Sequence, residues 1–498
     1  MSSTHRDVPL HTAPQRAPAR SGGRRPPHRS LLGVCAAYVL VSAALVPVTL
    51  PLGWDEIVYA SRFDPYAPAT PFSAPRTRGV PLLLSPVASW SDSAVLLRVW
   101  LLLLAGGALY LGFRPWLRVL ARRPSAVAVA AGLYGGLWFV LLYAGAAMPN
   151  HYTAMGAVGA VGCFVRQPPG RVGLLGIAAG LALATLMRPN DGAALALPLL
   201  FAALVVPAWR GRGRVPAVLG GVLAGVLPWL VEAESRFGGV GARLGAASEV
   251  QGGLRPVFSL FAHLDAFDGP LLCRPCAGAP VGPLAVEWFV VVPVLAGVGL
   301  RRAGAALAPL WLAVAVALAA SAPYLLLVPY AAPRFLQPTH ALLALPAALG
   351  LLAVVDRVRR AGSRRESRTE SRTGPGRRLA ALALTGLLAG HLSAHFTHAY
   401  SNARIQERAR GDWQLIAQVL HEHGVGTGTG RPCVLKSSTS TIPIAYVTGC
   451  TPAPWGAAPK RPSAVVLLKR DPPRWAQDWP RYSVPGSYTP GWVVAIRP

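Results

Sequence analysis

The stretch LLGVCAAYVLVSAALVPVTLPL, residues 31–52, runs directly into Gly53-Trp54-Asp55-Glu56. About 20 apolar residues suffice for a helix to cross the hydrocarbon of a bilayer. The run therefore reads as a membrane span, and two adjacent carboxylates stand where it emerges into water. A cleaved signal peptide is the rival reading of the same run. Acids beside the lipid edge cost desolvation free energy, so Asp55 and Glu56 are candidates for chemistry. The bland alternative is that they hydrate a helix end.

The same pattern recurs along the chain. Of its 498 residues, 53% are hydrophobic and only 14% charged. The apolar residues come in long blocks, which excludes a soluble globular domain and indicates an α-helical polytopic membrane protein. Further spans are expected near 93–113, 125–147, 152–165, 172–187, 192–208, 215–231, 285–300, 305–328, 340–355 and 379–397, about eleven with the first. The formal charge of +28 could suggest nucleic acid as a partner. The arginines, however, sit in short clusters between apolar blocks rather than on one face, so they report topology, and no nucleic acid is expected.

Arginine-bearing connections at 114–123, 166–171, 210–214, 301–302 and 357–378 alternate with acid-bearing ones. By the positive-inside rule they share the cytoplasmic side with a basic, disordered tail over residues 1–30. That orientation places residues 53–92, a large segment at 232–284 and everything after 397 outside a bacterial plasma membrane. Residues 398–498 are expected to form a small extracytoplasmic α/β domain. Its helical spacing covers Asn402 to His423, and β-prone runs follow at 433–435, 465–468 and 492–496. An oxidising compartment would join Cys433 to Cys450, worth about 3 kcal/mol by loop closure. Cys273-Arg274-Pro275-Cys276 has no second C-x-x-C to complete a zinc site, and reads as a local disulfide or two thiols.

The first outer loop, 53–92, holds Asp55, Glu56, Tyr59, Arg62, Asp64, Tyr66, Arg76 and Arg78. Short outer turns add His151, Arg188 with Asp191, and Arg334. His151 alone is more often a hydrogen-bonded helix-end residue than a base, and Arg188–Asp191 is equally readable as a local ion pair. Arg334 has no acid nearby in sequence, and an anion such as phosphate would supply a partner.

An apolar first helix ending in Asp55-Glu56 with Tyr59 soon after, the return Arg78-Gly79-Val80-Pro81, the turn Arg188-Pro189-Asn190-Asp191-Gly192, and Pro333-Arg334-Phe335-Leu336-Gln337-Pro338 together resemble GT-C-fold membrane glycosyltransferases. Among these, the sequence is most similar to bacterial relatives of protein O-mannosyltransferases and lipid A aminoarabinose transferases. The resemblance implies inverting transfer of a sugar from a polyprenyl-phosphate carrier to a cell-envelope glycan, lipid or protein. It makes Asp55 the base, with Glu56 orienting it, binding hydroxyls or helping to hold a divalent cation such as Mg or Mn. Substrate binding would fall to Tyr59, Arg76, Arg78, His151, Arg188, Asp191 and Arg334. The sequence has no Asp-x-Asp metal motif and no phosphate loop, in keeping with a lipid-linked rather than a nucleotide donor. A lipid-linked sugar flippase and a non-catalytic membrane scaffold are the alternatives. The flippase would be expected to carry charges at the bilayer midplane.

Overall fold

The apolar blocks fold as helices. The computed structural model describes residues 27–63, 68–211, 213–276, 278, 280–366, 375–427, 432–453 and 462–498. Most of the basic tail, Asp64, Tyr66 and part of the 357–378 tract lie outside the described residues. Among those described, six helices are long and apolar enough to cross a membrane: His28–Leu45, Ala94–Val119, Arg214–Phe237, Pro283–Arg301, Gly304–Leu326 and Pro333–Arg360. Shorter apolar helices at Ser125–Gly135, Asn150–Phe164, Arg171–Met187 and Pro189–Val205 pack among them. The chain is a multi-pass helical membrane protein. Without a hydrophobic drive between helices in lipid, close backbone approach takes over. At the crossing of Val292–Arg301 with Gln337–Glu366, a Cβ on either Gly299 or Gly350 would strike the backbone of the other helix.

Two expected spans are shorter than their apolar runs. The first helix, Pro27–Leu45, stops before Pro47 and Pro51, since proline removes a backbone donor and restricts the residue before it. The block 125–147 breaks at Gly135-Gly136 into Ser125–Gly135 and Trp138–Leu142. The amide N–H that opens the second piece, Trp138, donates to His395 Nδ1 at 3.2 Å.

The connections sort into two ends, as their charges suggest. At one end the buried Arg214 guanidinium donates to the carbonyls of Phe164, Arg166 and Trp209, and Arg123 pairs with Asp356 at 2.8 Å. At the other end the turns near 76, 149, 189 and 330 surround one cavity. The segment 232–284 folds over this end as helices Val240–Val250 and Leu260–Asp268. Within it Cys273 and Cys276 are bonded to each other.

The boundary expected at 397 falls inside a single helix, Pro375–Glu422, which leaves the bundle and enters the C-terminal domain without interruption. That domain holds β1 (Val434–Ser437), β2 (Thr451–Pro452), β3 (Ala464–Leu468), β4 (Arg481–Ser483) and β5 (Trp492–Ile496) in the order β2-β1-β3-β5-β4. β1 is parallel to β2 and β3, and β5 is antiparallel to β3 and β4. The alternation of strand side chains divides the core. Leu435, Val466 and Val494 pack on Ile416 and Leu420 of the long helix and on Ile444 of Thr441–Thr448. Val465 and Leu467 face Trp475 and Trp479 on the other side of the sheet. The Cys433–Cys450 disulfide links the start of β1 to the residue before β2.

Candidate functional site

The helix Trp54–Ala60 carries the adjacent acids Asp55 and Glu56 of the first outer loop. Successive residues on a helix project about 100° apart, so Asp55 and Glu56 cannot share one face. Glu56 points inward. Its carboxylate accepts from Arg98 Nη1 and Nη2 at 3.0 and 3.1 Å, Arg410 Nη1 at 3.1 Å, and the backbone N–H groups of Ala147 and Gly53 at 3.0 and 2.8 Å. Burial alone would raise its pKa, but Arg98, Arg410 and the Gly53 N–H outweigh that and bring it down to about 2. Gly53 is required at its position because a Cβ there would meet the Arg410 guanidinium at 2.7 Å.

Glu56 is thus the centre of a buried charge cluster that fixes Leu50–Pro51, the helix Trp54–Ala60 and the long C-terminal helix together. Both its oxygens are engaged and it does not line the cavity, so the structure does not bring Glu56 to the site with Asp55.

Asp55 faces outward into a cavity of about 760 Å³. Its Oδ1 accepts from Arg76 Nη2 at 2.7 Å and its Oδ2 lies 3.8 Å from Arg334 Nη2. The Asp55 side chain is 34% exposed, whereas that of Glu56 is 5% exposed. The Arg76 guanidinium lies over the Tyr59 ring, 5.2 Å from its centroid, and burial raises the Tyr59 pKa. Arg334 donates to Tyr143 Oη at 3.1 Å and to the Leu271 carbonyl at 3.0 Å. Arg188 Nε stands 3.6 Å from Asp191, which also accepts from Tyr324 Oη. The Phe335 ring is shared by Arg188 and Arg334, 5.3 and 5.5 Å from its centroid.

The charged lining comprises Arg76, Arg188, Arg274 and Arg334 against Asp55 and Asp191, an excess of two positive charges. Such an excess in a partly dry site suits a phosphate. It does not suit Mg2+ or Mn2+, which ask for several oxygen donors in near-octahedral array. Asp55 offers one carboxylate already held between two guanidinium groups.

Tyr59, Arg76, Arg188, Asp191 and Arg334 are therefore brought together with Asp55, while Arg78 and His151 are not. Arg78 pairs with Glu232, which also binds Arg243 at 3.0 Å and Arg236 at 3.4 Å. This cluster holds the segment after Arg214–Phe237 against the first loop. His151 is buried in the bundle, its ring between Tyr38 and Tyr134. Its Nδ1 lies 3.1 Å from Tyr134 Oη and its Nε2 lies 3.0 Å from the Ala105 carbonyl. The turn contributes its neighbour Asn150 instead, a buried cavity-lining residue whose Nδ2 has no hydrogen-bond partner among the described residues. Asp268, another acid of the outer segment, accepts from the N–H groups of Leu284 and Ala285 at 2.9 and 2.6 Å and caps a helix start. Sequence reading missed Arg98, although a lone arginine inside an apolar helix is a signal in itself. It also missed Arg410, Tyr143 and Tyr324, whose roles depend on partners far along the chain.

No family model and no curated protein sequence matches the chain. Among solved structures it is similar to ArnT from Cupriavidus metallidurans bound to undecaprenyl phosphate, at 14% identity over 93% of this chain and 97% of that one, with a TM-score of 0.58. It is likewise similar to apo ArnT from the same organism, at 14% identity over the same shares and a TM-score of 0.56. The chain has the GT-C fold, including the small C-terminal sheet domain.

Proposed function

We propose that this protein transfers a sugar from a polyprenyl-phosphate-linked donor to a cell-envelope glycan, lipid or protein on the outer face of a bacterial plasma membrane, with inversion. The observation that carries the reading is the Asp55 carboxylate, set between Arg76 and Arg334 in a cavity with surplus positive charge. The GT-C fold shared with a protein solved in complex with undecaprenyl phosphate supports the donor class.

In this mechanism the acceptor hydroxyl attacks the anomeric carbon from the face opposite the phosphate. Asp55 takes the hydroxyl proton as the new C–O bond forms. The old C–O bond breaks with its electron pair going to the polyprenyl phosphate, and the arginines stabilise the charge that develops there. The transition state has oxocarbenium character, and the carboxylate needs no burial to serve as base. Its guanidinium neighbours keep it aimed. Arg334 and Arg188, both against the Phe335 ring, are the phosphate clamp. Tyr59 and Asn150 face the sugar and acceptor hydroxyls.

The test is mass spectrometry of envelope glycans, lipids and glycoproteins from a deletion strain carrying either wild type or Asp55→Asn. A glycan lost on deletion and restored only by wild type supports the reading. Restoration by both forms at matched expression removes it.

A further inference from the structure

A second polar cluster lies away from the cavity, between helix Pro283–Arg301 and the long helix Pro375–Glu422. Glu287, His391 and His395 each bring one ligand-type atom to within 4.8 Å of the other two. His391 and His395 are four residues apart, so they project from one face of the long helix, and their rings meet edge to face with centroids 4.6 Å apart. Glu287 comes from across the helix interface, with Oε1 against His391 Nδ1.

Three features do not fit a merely structural contact. His391 Nδ1 is close to the Glu287 carboxylate and yet out of line for a hydrogen bond, and His395 Nε2 is buried without a partner among the described residues. The three ligand-type atoms converge with no hydrogen bond joining them among the described residues, an arrangement that a shared cation would satisfy. Glu287 also opens a five-residue π-helical turn, Glu287–Val291, a local widening of the helix that recurs at functional sites because it re-aims a side chain. Finally, an acid and two histidines within the helical bundle carry a desolvation cost that proteins retain for function.

We infer that Glu287, His391 and His395 form a zinc site. Two imidazoles and one carboxylate are the donors a borderline divalent ion prefers, and three protein ligands leave a fourth position for water or another group. In a tetrahedral site, bonds of about 2.0–2.1 Å put ligand atoms about 3.4 Å apart, a spacing that small rotamer shifts reach from the present one. Trp138 N–H donates to His395 Nδ1 at 3.2 Å. Coordination through Nε2 therefore moves the ring proton to Nδ1 and gives up that hydrogen bond. The ion would clasp the helix that carries Arg410, and through it Glu56, to the helix that follows the outer segment. This inference is independent of the reaction proposed above.

The full chain, purified in detergent and stripped with a chelator, is re-equilibrated with Zn2+ or Co2+ and passed over a desalting column. Elemental analysis should find about one zinc per wild-type chain, with His391→Ala and Glu287→Gln retaining less than about a tenth of that. Cobalt should give the strong visible absorption of a four-coordinate ion in wild type and lose it in both variants. Wild type that retains no zinc overturns the site whatever the variants do. Zinc retained equally by all three proteins marks adventitious surface binding and overturns it too.

Discussion

Asp55 and Glu56 are neighbours in sequence and opposites in environment. Asp55 lies in a cavity beside Arg76 and Arg334, whereas Glu56 is enclosed by Arg98, Arg410 and two backbone amides. The step of about 100° between consecutive helical residues puts the first in the cavity and the second in the buried charge cluster. Substitutions at the two positions should therefore fail in different ways.

Asp55→Asn removes the proton acceptor and keeps the shape. Transfer should fall by about 10²- to 10⁴-fold, the range a positioned general base supplies. The thermal midpoint in detergent should stay close to that of wild type, because Asp55 is partly exposed and its ion pair with Arg76 contributes little to stability. Turnover with a lipid-linked donor, measured beside a melting curve, checks both halves. A fall in the midpoint comparable to that of a Glu56 variant would assign Asp55 a structural role.

Glu56→Gln should destabilise the protein by about 3–5 kcal/mol, since it leaves Arg98 and Arg410 buried beside a neutral side chain. The pH dependence follows from the depressed folded-state pKa, about 2 against an ordinary 4.5. The stabilisation from this group is fully present above pH 4.5 and is lost as the pH falls from there toward 2, where the folded carboxylate takes up a proton. Melts recorded between pH 7 and pH 3 should slope more steeply for wild type than for Glu56→Gln. Parallel slopes would disconnect Glu56 from acid stability.

The bundle and its two ends were legible because long apolar blocks and alternating arginine clusters are properties of single segments. The positions of Asp55, Arg188, Asp191 and Arg334 were legible for the same reason, as polar residues at helix ends. The division of labour between Asp55 and Glu56 was not. It depends on the orientation of one short helix and on arginines 42 and 354 residues away from Glu56. His151 misled because its turn does face the cavity, but the side chain that enters the cavity from that turn is Asn150. Arg78 was drawn to the site by its sequence neighbour Arg76, while its partner, Glu232, lies 154 residues further on.

Arg334→Lys keeps a positive charge and loses the planar fork that bonds Tyr143 and Leu271 and, in the proposed mechanism, the phosphate. An ammonium reaches phosphate as a point charge only. Affinity for a polyprenyl phosphate should weaken by about 10-fold for the lysine and by up to about 100-fold for Arg334→Ala, in line with charge-assisted hydrogen bonds. Tryptophan fluorescence or calorimetric titration with a short-chain polyprenyl phosphate measures this directly. Unchanged affinity in Arg334→Ala would move the phosphate clamp away from Arg334.

Asn150 and His151 offer a test in which stability and binding move separately. Asn150 is 3% exposed, lines the cavity and has a side-chain amide N–H group without a partner among the described residues, so its donor is open to a ligand. Replacing it with alanine removes an unpaired buried donor, and the unliganded protein should be as stable as wild type or slightly more so. KM for the hydroxyl-bearing substrate should rise by about 5- to 10-fold, one lost hydrogen bond. His151→Phe fills much of the same ring volume but gives up the contacts of both nitrogens, with Tyr134 and the Ala105 carbonyl. That change should cost about 1–3 kcal/mol of stability and leave KM unaltered. Melting curves and substrate titrations on the two variants form a crossed pair. If His151→Phe raises KM while Asn150→Ala does not, the cavity is entered by the histidine and the assignment of this turn is reversed.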